Sequence, residues 1–256
     1  MIKVLTGYSG PGGSTVAFNN LVNLFNENGL EARLYGPQLW EGINCKFMQG
    51  VVEPKPEDTV IYHFMMTPRQ KCKKLILSCH ETNLFPISKI PGIRYDAVHF
   101  VSEFQKEWHG EEGKVIPNVI SKLERTDCRG LGERVGIIGS VDRNKRIPLS
   151  IKRALDDGFT DIRIYGGISD PAYFLQVISP LLGDKVKYCG VSHNMQQVYN
   201  TLTHVYHSPL LETYNMIKAE CVAAGVVYRG EEGNDTKAQV WSEERIMMAW
   251  EELLSD

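Results

Sequence analysis

At 256 residues the chain has room for one large or two small domains, and with 43% hydrophobic and 23% charged residues it has the composition of an ordinary globular protein. A formal net charge of -3 supplies no general field toward nucleic acid or anionic membranes, and no run approaches the roughly eighteen consecutive apolar residues of a spanning helix. The six cysteines (45, 72, 79, 128, 189, 221) form no C-x-x-C pair and no cluster with histidine, which predicts mostly buried thiols in a reducing, cytoplasmic setting.

Taken in order, "IKVLT" near the N-terminus predicts a first strand and not a signal peptide. It runs into Gly7, Gly10, Gly12 and Gly13. "STVAFNNLVNLFNENG" then predicts a helix with Val16, Leu21, Leu24 and Phe25 near one face, closed by Gly29. "EARLYG", "TVIYHF" (59–64), "KLILSCH" (74–80) and "AVHFVS" (97–102) predict further strands, followed by a short helix at 103–110 and a short strand at 114–118. The polar, glycine-bearing stretch 121–133 predicts a linker.

The alternation restarts beyond it. "RVGIIGS", "DIRIYGG", "KVKYCG" and "HVYHSP" predict strands, and "PLSIKRALDDG", "PAYFLQVISPLLG", "MQQVYNTL" and "YNMIKAECVAAG" predict the helices that follow them. "EERIMMAWEELL" predicts an amphipathic helix with Ile246, Met247, Trp250 and Leu254 buried. The expected fold is α/β, two Rossmann-like domains facing a cleft. Residues 1–120 form the N-terminal, acceptor-side domain, 121–133 the linker, 134–240 the C-terminal domain, and 241–256 a helix that packs back on the first domain. The cleft at the carboxyl ends of the strands is the expected site.

Three stretches carry chemistry. "GYSGPGGS" has a P-loop's length but Gly13 stands where its lysine belongs, and Thr15 breaks a G-x-G-x-x-G fingerprint, so neither a kinase nor a nicotinamide dehydrogenase is supported. The backbone at Gly12 and Gly13 can still be approached closely. In "IIGSVDRNKR", Arg143, Lys145 and Arg146 crowd a loop before a helix, where cations and amide dipoles would suit a diphosphate. In "ETYNMIKAE" two carboxylates, Glu212 and Glu220, are separated by seven residues at the entry to an apolar helix. Amides from Thr213 to Met216 would suit sugar hydroxyls, and Glu220, about two turns into the helix, could accept both hydroxyls of a ribose. The alternative for Glu220 is a partly exposed acid paired with Lys218 or Lys187.

"LLETYNMIKAECVAAGVV" resembles the E-x7-E signature of family-four retaining glycosyltransferases, which have the two-domain GT-B architecture. "GPGGSTVAFNNLVNLFNENGLEARLY", "ILSCHET", "FVSEFQKEW", "VIPNVI", "GIIGSVDRNKRIPLSIKRAL" and "DKVKYCGVSHNMQQVYNTLTHVYHSP" are similar to other segments of that family in the same order, so that the chain resembles a short version of it. The resemblance implies a hexosyltransferase that moves a sugar from a nucleotide-sugar, UDP- or GDP-linked, to a hydroxyl acceptor without metal or other cofactor. Glu220 would hold the ribose. Glu212 with Thr213, Tyr214 and Asn215 would hold the donor sugar. Lys145, helped by Arg143, would meet the diphosphate beside Gly12 and Gly13, and His80 would sit at the sugar and acceptor side. His80, Lys145 and Glu212 are therefore the expected catalytic group.

Two departures stand out. Ser140 occupies the place of an arginine that the family has after the glycine ending the first strand of its second domain, so Arg143 or Arg146 would have to replace that phosphate contact. Asn215 replaces the signature's glycine. The favoured acceptor is a sugar or other small hydroxylated compound. A hydroxylated DNA base is an alternative that rests on Arg69, Lys71, Lys73 and Lys74 in "RQKCKK", and a non-catalytic nucleotide-sugar-binding module is another, which rests on Ser140.

Overall fold

A computed structural model of the chain describes residues 1–7, 12–39, 41–50, 53–63, 71–81, 95–125, 132–230 and 240–255. It divides into two compact units, Met1–Ile120 with Ala238–Asp256, and Ser121–Lys237. Phe64, Arg69, Gly10 and residues 126–131 of the linker stretch lie outside the described residues.

The first unit holds strands β1 (Ile2–Leu5), β2 (Ala32–Gly36), β3 (Phe47–Gln49), β4 (Thr59–His63), β5 (Lys74–Cys79), β6 (Ala97–Phe100) and β7 (Lys114–Val115). They form one parallel sheet in the order β3-β2-β1-β4-β5-β6-β7. The β-branched run of β4 is buried at every position, as a parallel strand covered on both faces must be. Helix α1 (Gly13–Glu27) buries Phe18, Leu21, Val22, Leu24 and Phe25 against one face, while Val16 is only half-buried, and Gly29 follows in the left-handed region at φ 81°. Helix α2 (Glu103–His109) starts where the Ser102 hydroxyl accepts from the Gln105 amide and stops at Gly110, φ 66°. Helix α7 (Glu243–Ser255) packs into the same core as α1 through Ile246, Met247, Trp250 and Leu253, with Leu254 only partly buried. The stripe is therefore shifted by one residue from the expected Leu254, since a helix with 3.6 residues per turn brings 246, 250 and 253 onto one line.

The second unit holds β8 (Arg134–Ile138), β9 (Asp161–Tyr165), β10 (Val186–Gly190), β11 (His204–His207) and β12 (Val227–Gly230), all parallel, in the order β10-β9-β8-β11-β12. Helices α3 (Ile147–Asp156), α4 (Pro171–Tyr173), α5 (Met195–Tyr199) and α6 (Met216–Ala224) lie between them. The helix expected over 171–183 is not regular. Its first turn widens into a π-helical stretch, Phe174–Ile178, and ends in a 3-10 turn, Ser179–Leu181. Pro180 has no N–H for the carbonyl four residues back, so an α-helix cannot continue through it. Each sheet reverses its winding at a switch point, β1/β4 in the first unit and β8/β11 in the second. The carboxyl ends of strands at such points are where doubly wound sheets bind ligands.

Candidate functional site

In the second unit the loop after β8 and the loop after β11 are tied together by one side chain. Asn144 donates from Nδ2 to the Leu211 carbonyl (3.0 Å), accepts at Oδ1 from the Leu211 amide (3.1 Å), and its own carbonyl accepts from the Leu210 amide (2.7 Å). This brings Lys145 to Glu212, and their side chains form an ion pair in which both are largely buried. His207, at the end of β11, adds a contact from Nε2 to the same Glu212 oxygen at 3.2 Å. Burial opposes the charge on Glu212, but Lys145 and His207 outweigh it and hold the carboxyl below its usual value. The turn carrying Lys145 is shaped by Asp142, which accepts from the Lys145 amide (3.0 Å) and from the Ser140 hydroxyl. Gly139 (φ 140°) lies against the aliphatic stem of Lys145, and a Cβ on Gly166 (φ 150°) would collide with the Gly139 carbonyl.

The three expected cations of this loop do not act together. Arg143 is mostly exposed, pairs with Asp170 at 3.4 Å and lies over the Tyr173 ring at 5.4 Å. Arg146, itself in the left-handed region at φ 43°, donates to the carbonyls of Ser208 (2.7 Å) and Pro209 (3.1 Å). Lys145 alone meets the acid.

Glu220 lies only one turn into α6, not two, because the helix begins at Met216. It is 4% exposed and accepts from the Tyr199 hydroxyl (2.9 Å) and from Ser121, so it is not a surface acid paired with Lys218 or Lys187. Burial drives its carboxyl up to about 7. Burial and Glu220 together push the Tyr199 phenol well above its ordinary value, so Tyr199 stays a donor. An ionised carboxylate has about four acceptor sites, which leaves capacity beyond these two bonds. Asn215 explains the missing glycine. Its Oδ1 caps α6 by accepting from the Lys218 amide (2.9 Å), and its Nδ2 donates to the Tyr228 hydroxyl (2.7 Å). The Met216 amide is taken by the Tyr214 carbonyl at 3.0 Å and is not available to a sugar as expected. Tyr214 is buried and Thr213 half-buried.

In the first unit, Gly12 is the extended residue that opens α1 and Gly13 is its first helical residue. The helix has no acid in its first turn, and a Cβ on Gly12 would meet nothing within 4 Å. With no acid in that turn, its N-terminal amides and dipole carry positive potential. His80, 8% exposed, follows β5 and is ringed by Phe18 (4.5 Å between centroids), His63 (5.6 Å) and His99 (6.1 Å). Burial, then the neighbouring histidines, hold it well below the usual imidazole value, so it is neutral. Beside it Glu81 receives His63 Nε2 at 3.0 Å on one oxygen and 3.2 Å on the other, and its carbonyl accepts from Gln105 and His109, both at 3.0 Å. Lys71 and Lys73 are exposed, whereas Lys74 is buried at the start of β5, so the described part of the basic run is not one solvated patch. Among the described residues no group of three or more His, Cys, Asp or Glu side chains could hold a metal ion, and no helix is long and apolar enough to cross a membrane.

The same two-domain fold occurs in solved glycosyltransferases. The Anabaena protein HepE in complex with UDP-glucose superposes with a TM-score of 0.69 at 12% identity, over 99% of this chain and 90% of that one. The pneumococcal O-GlcNAc transferase GtfA in complex with UDP and GlcNAc gives 0.68 at 9% identity, over 97% and 90%. Sucrose-phosphate synthase from Thermosynechococcus elongatus gives 0.66 at 14% identity, over 100% and 90%. The chain has the GT-B fold. No protein-family model matches its sequence, and no curated protein is matched by it.

Asn144, His207 and Tyr199 in the second unit, and His63, His99 and Gln105 in the first, belong to these groups and were not singled out by sequence. His63 and His207 each carried one signal, a histidine at the end of an interior strand.

Proposed function

We propose that the chain is a retaining glycosyltransferase that uses a nucleotide-sugar, without a metal ion. The observation that carries this reading is the largely buried Lys145–Glu212–His207 group at the β8/β11 switch point, on a fold shared with one protein solved with UDP-glucose and another solved with UDP and GlcNAc. Lys145 meets the diphosphate, and Glu212 holds its ammonium in place. The first-unit amides at Gly12 and Gly13 add positive potential. Glu220 receives the ribose hydroxyls, Glu212 with Thr213 orients the donor sugar, and His80 meets the reacting sugar. The bond from the sugar's anomeric carbon to the phosphate oxygen breaks and leaves its electron pair on the diphosphate. The acceptor oxygen bonds that carbon from the same face, and its proton passes to the departing phosphate oxygen. Fixed positive charge lowers the barrier because the diphosphate gains charge as it leaves.

The acceptor is a sugar or other small hydroxylated compound. Burial of Lys74 disfavours the hydroxylated-DNA alternative, which needs a row of exposed cations. A binding-only module is favoured by two observations, Ser140 turned to Asp142 and Arg143 turned to Asp170. A thermal-shift screen of UDP, GDP and their glucose, galactose, mannose and N-acetylglucosamine conjugates, in EDTA, tests the reading. A hundredfold excess over Kd is worth about 2.7 kcal/mol of stabilisation. Stabilisation by one nucleotide series, followed by slow release of its free sugar, supports an enzyme. Stabilisation without any turnover on acceptors supports the module, and no stabilisation by any of them contradicts both.

A further inference from the structure

Beneath His80 runs a chain of buried polar groups that the proposed reaction has not used. His80 Nε2 lies 3.0 Å from the Ser78 hydroxyl, Ser78 lies 2.8 Å from His99 Nδ1, and His99 Nε2 lies 2.7 Å from the Ile116 carbonyl. Ser78 is fully buried and His99 is 3% exposed, with the Trp250 ring of α7 packed at 4.6 Å from the His99 ring. We infer that Ser78 and His99 are positioning residues, which lock His80 into the Nε2–H tautomer and leave Nδ1 as its only acceptor atom.

The direction of every bond follows from the far end. A carbonyl oxygen can only accept, so His99 must carry its proton on Nε2. Burial lowers His99 to about 4, so at neutral pH it has no second proton and Nδ1 is a bare lone pair. The single hydrogen of Ser78 must therefore go to His99. Toward His80 the serine then presents lone pairs, and only a protonated Nε2 makes a bond across 3.0 Å. With His80 neutral, Nδ1 carries no proton. Whatever group meets Nδ1 must donate, and His80 cannot serve as an acid from that atom.

This rests on the proposed function in one respect, the role of the donating group. On that reading it is a hydroxyl of the donor sugar or the acceptor. The tautomer itself is measurable without any turnover. Long-range proton–nitrogen NMR of the imidazoles should place His80 and His99 both in the Nε2–H form in the wild-type chain. Ser78→Ala should give His80 a mixture of tautomers, and Ser78→Thr, which keeps the hydroxyl, should restore the single form. In the transferase assay Ser78→Ala should lower kcat by about tenfold, the size of one misdirected hydrogen bond, with nucleoside diphosphate affinity unchanged. Were the wild-type His80 found as Nδ1–H, or were its tautomer unchanged in a folded Ser78→Ala protein, the relay would be wrong even if the chain transfers sugar. If Ser78→Ala does not fold, the wild-type and Ser78→Thr spectra decide. If the spectra agree and no sugar is transferred, the relay stands and the proposed function falls.

Discussion

At the strand ends of the first unit the buried polar groups are imidazoles and a hydroxyl, His80, Ser78 and His99, joined in a chain that ends on a carbonyl and kept neutral by burial. At the corresponding place in the second unit the buried groups carry full and opposite charges, Lys145 against Glu212, with His207 alongside. Both arrangements are hydrogen-bonded internally, but they are suited to different work. A neutral chain can orient and select a hydroxyl without responding to charge. A charged group tied down by an acid can stabilise charge that appears during a reaction, and is costly to leave half-paired. On the proposed function, the hydroxyl chemistry falls to the first unit and the phosphate chemistry to the second.

The sharpest way to break this assignment is to remove the cation. Lys145→Ala should lower kcat on the order of a hundredfold or more, because the charge it meets grows in the transition state. It should also destabilise the second unit by roughly 3 kcal/mol through the uncompensated Glu212. Adding Glu212→Gln should recover much of the stability in a denaturant titration but none of the turnover. Recovery of turnover in the double variant would reduce the pair to a structural tie.

Glu220 sharpens the comparison from within the second unit. Its pKa is raised in the fold from the ordinary 4.5 to about 7, so the native state holds its proton more tightly than the unfolded chain. The stability this contributes is complete below 4.5 and is lost as pH rises to about 7, a fall of about 3 kcal/mol at about 1.4 kcal/mol per unit. Glu220→Gln should flatten that slope in thermal melts between pH 5 and 8. Nucleotide affinity should move the opposite way in the wild type, rising as pH passes about 7, because the ionised carboxylate is the better acceptor for ribose hydroxyls. An affinity indifferent to pH across this range would remove Glu220 from the ribose.

The smallest effect belongs to the first unit. His80→Ala should lower kcat by about tenfold, the loss of one hydrogen bond in the transition state, while leaving nucleoside diphosphate affinity unchanged. A large loss of affinity would place His80 with the phosphates and collapse the contrast between the units.

Much of the architecture is legible in the sequence because the alternation of short β-branched runs with helical periodicity is a backbone-level signal. What escaped it has local causes. Strand β3 is three residues at a sheet edge with Met48 exposed, and β12 has Val227 exposed, so neither carries the apolar density of a central strand. The site divides in the same way. Lys145 and Glu212 stand out because they follow the carboxyl ends of apolar strands, where doubly wound sheets bind ligands. Asn144 and Tyr199 do not, since their partners lie 67 and 21 residues away and only the fold brings them together. Arg143 and Arg146 show the converse. Their charge and position suggested a phosphate, but Asp170 and the carbonyls of Ser208 and Pro209 claim them.

On the proposed function, the second unit binds a nucleoside diphosphate through Lys145 without a metal. Calorimetry in EDTA, with UDP and GDP compared against uridine and guanosine, tests it directly on the wild type and on Lys145→Ala. One diphosphate should bind the wild type far more tightly than its nucleoside, and Lys145→Ala should lose most of that difference while binding the nucleoside as before. Equal affinity for diphosphate and nucleoside in the wild type, or an unchanged difference in a folded Lys145→Ala protein, would contradict it.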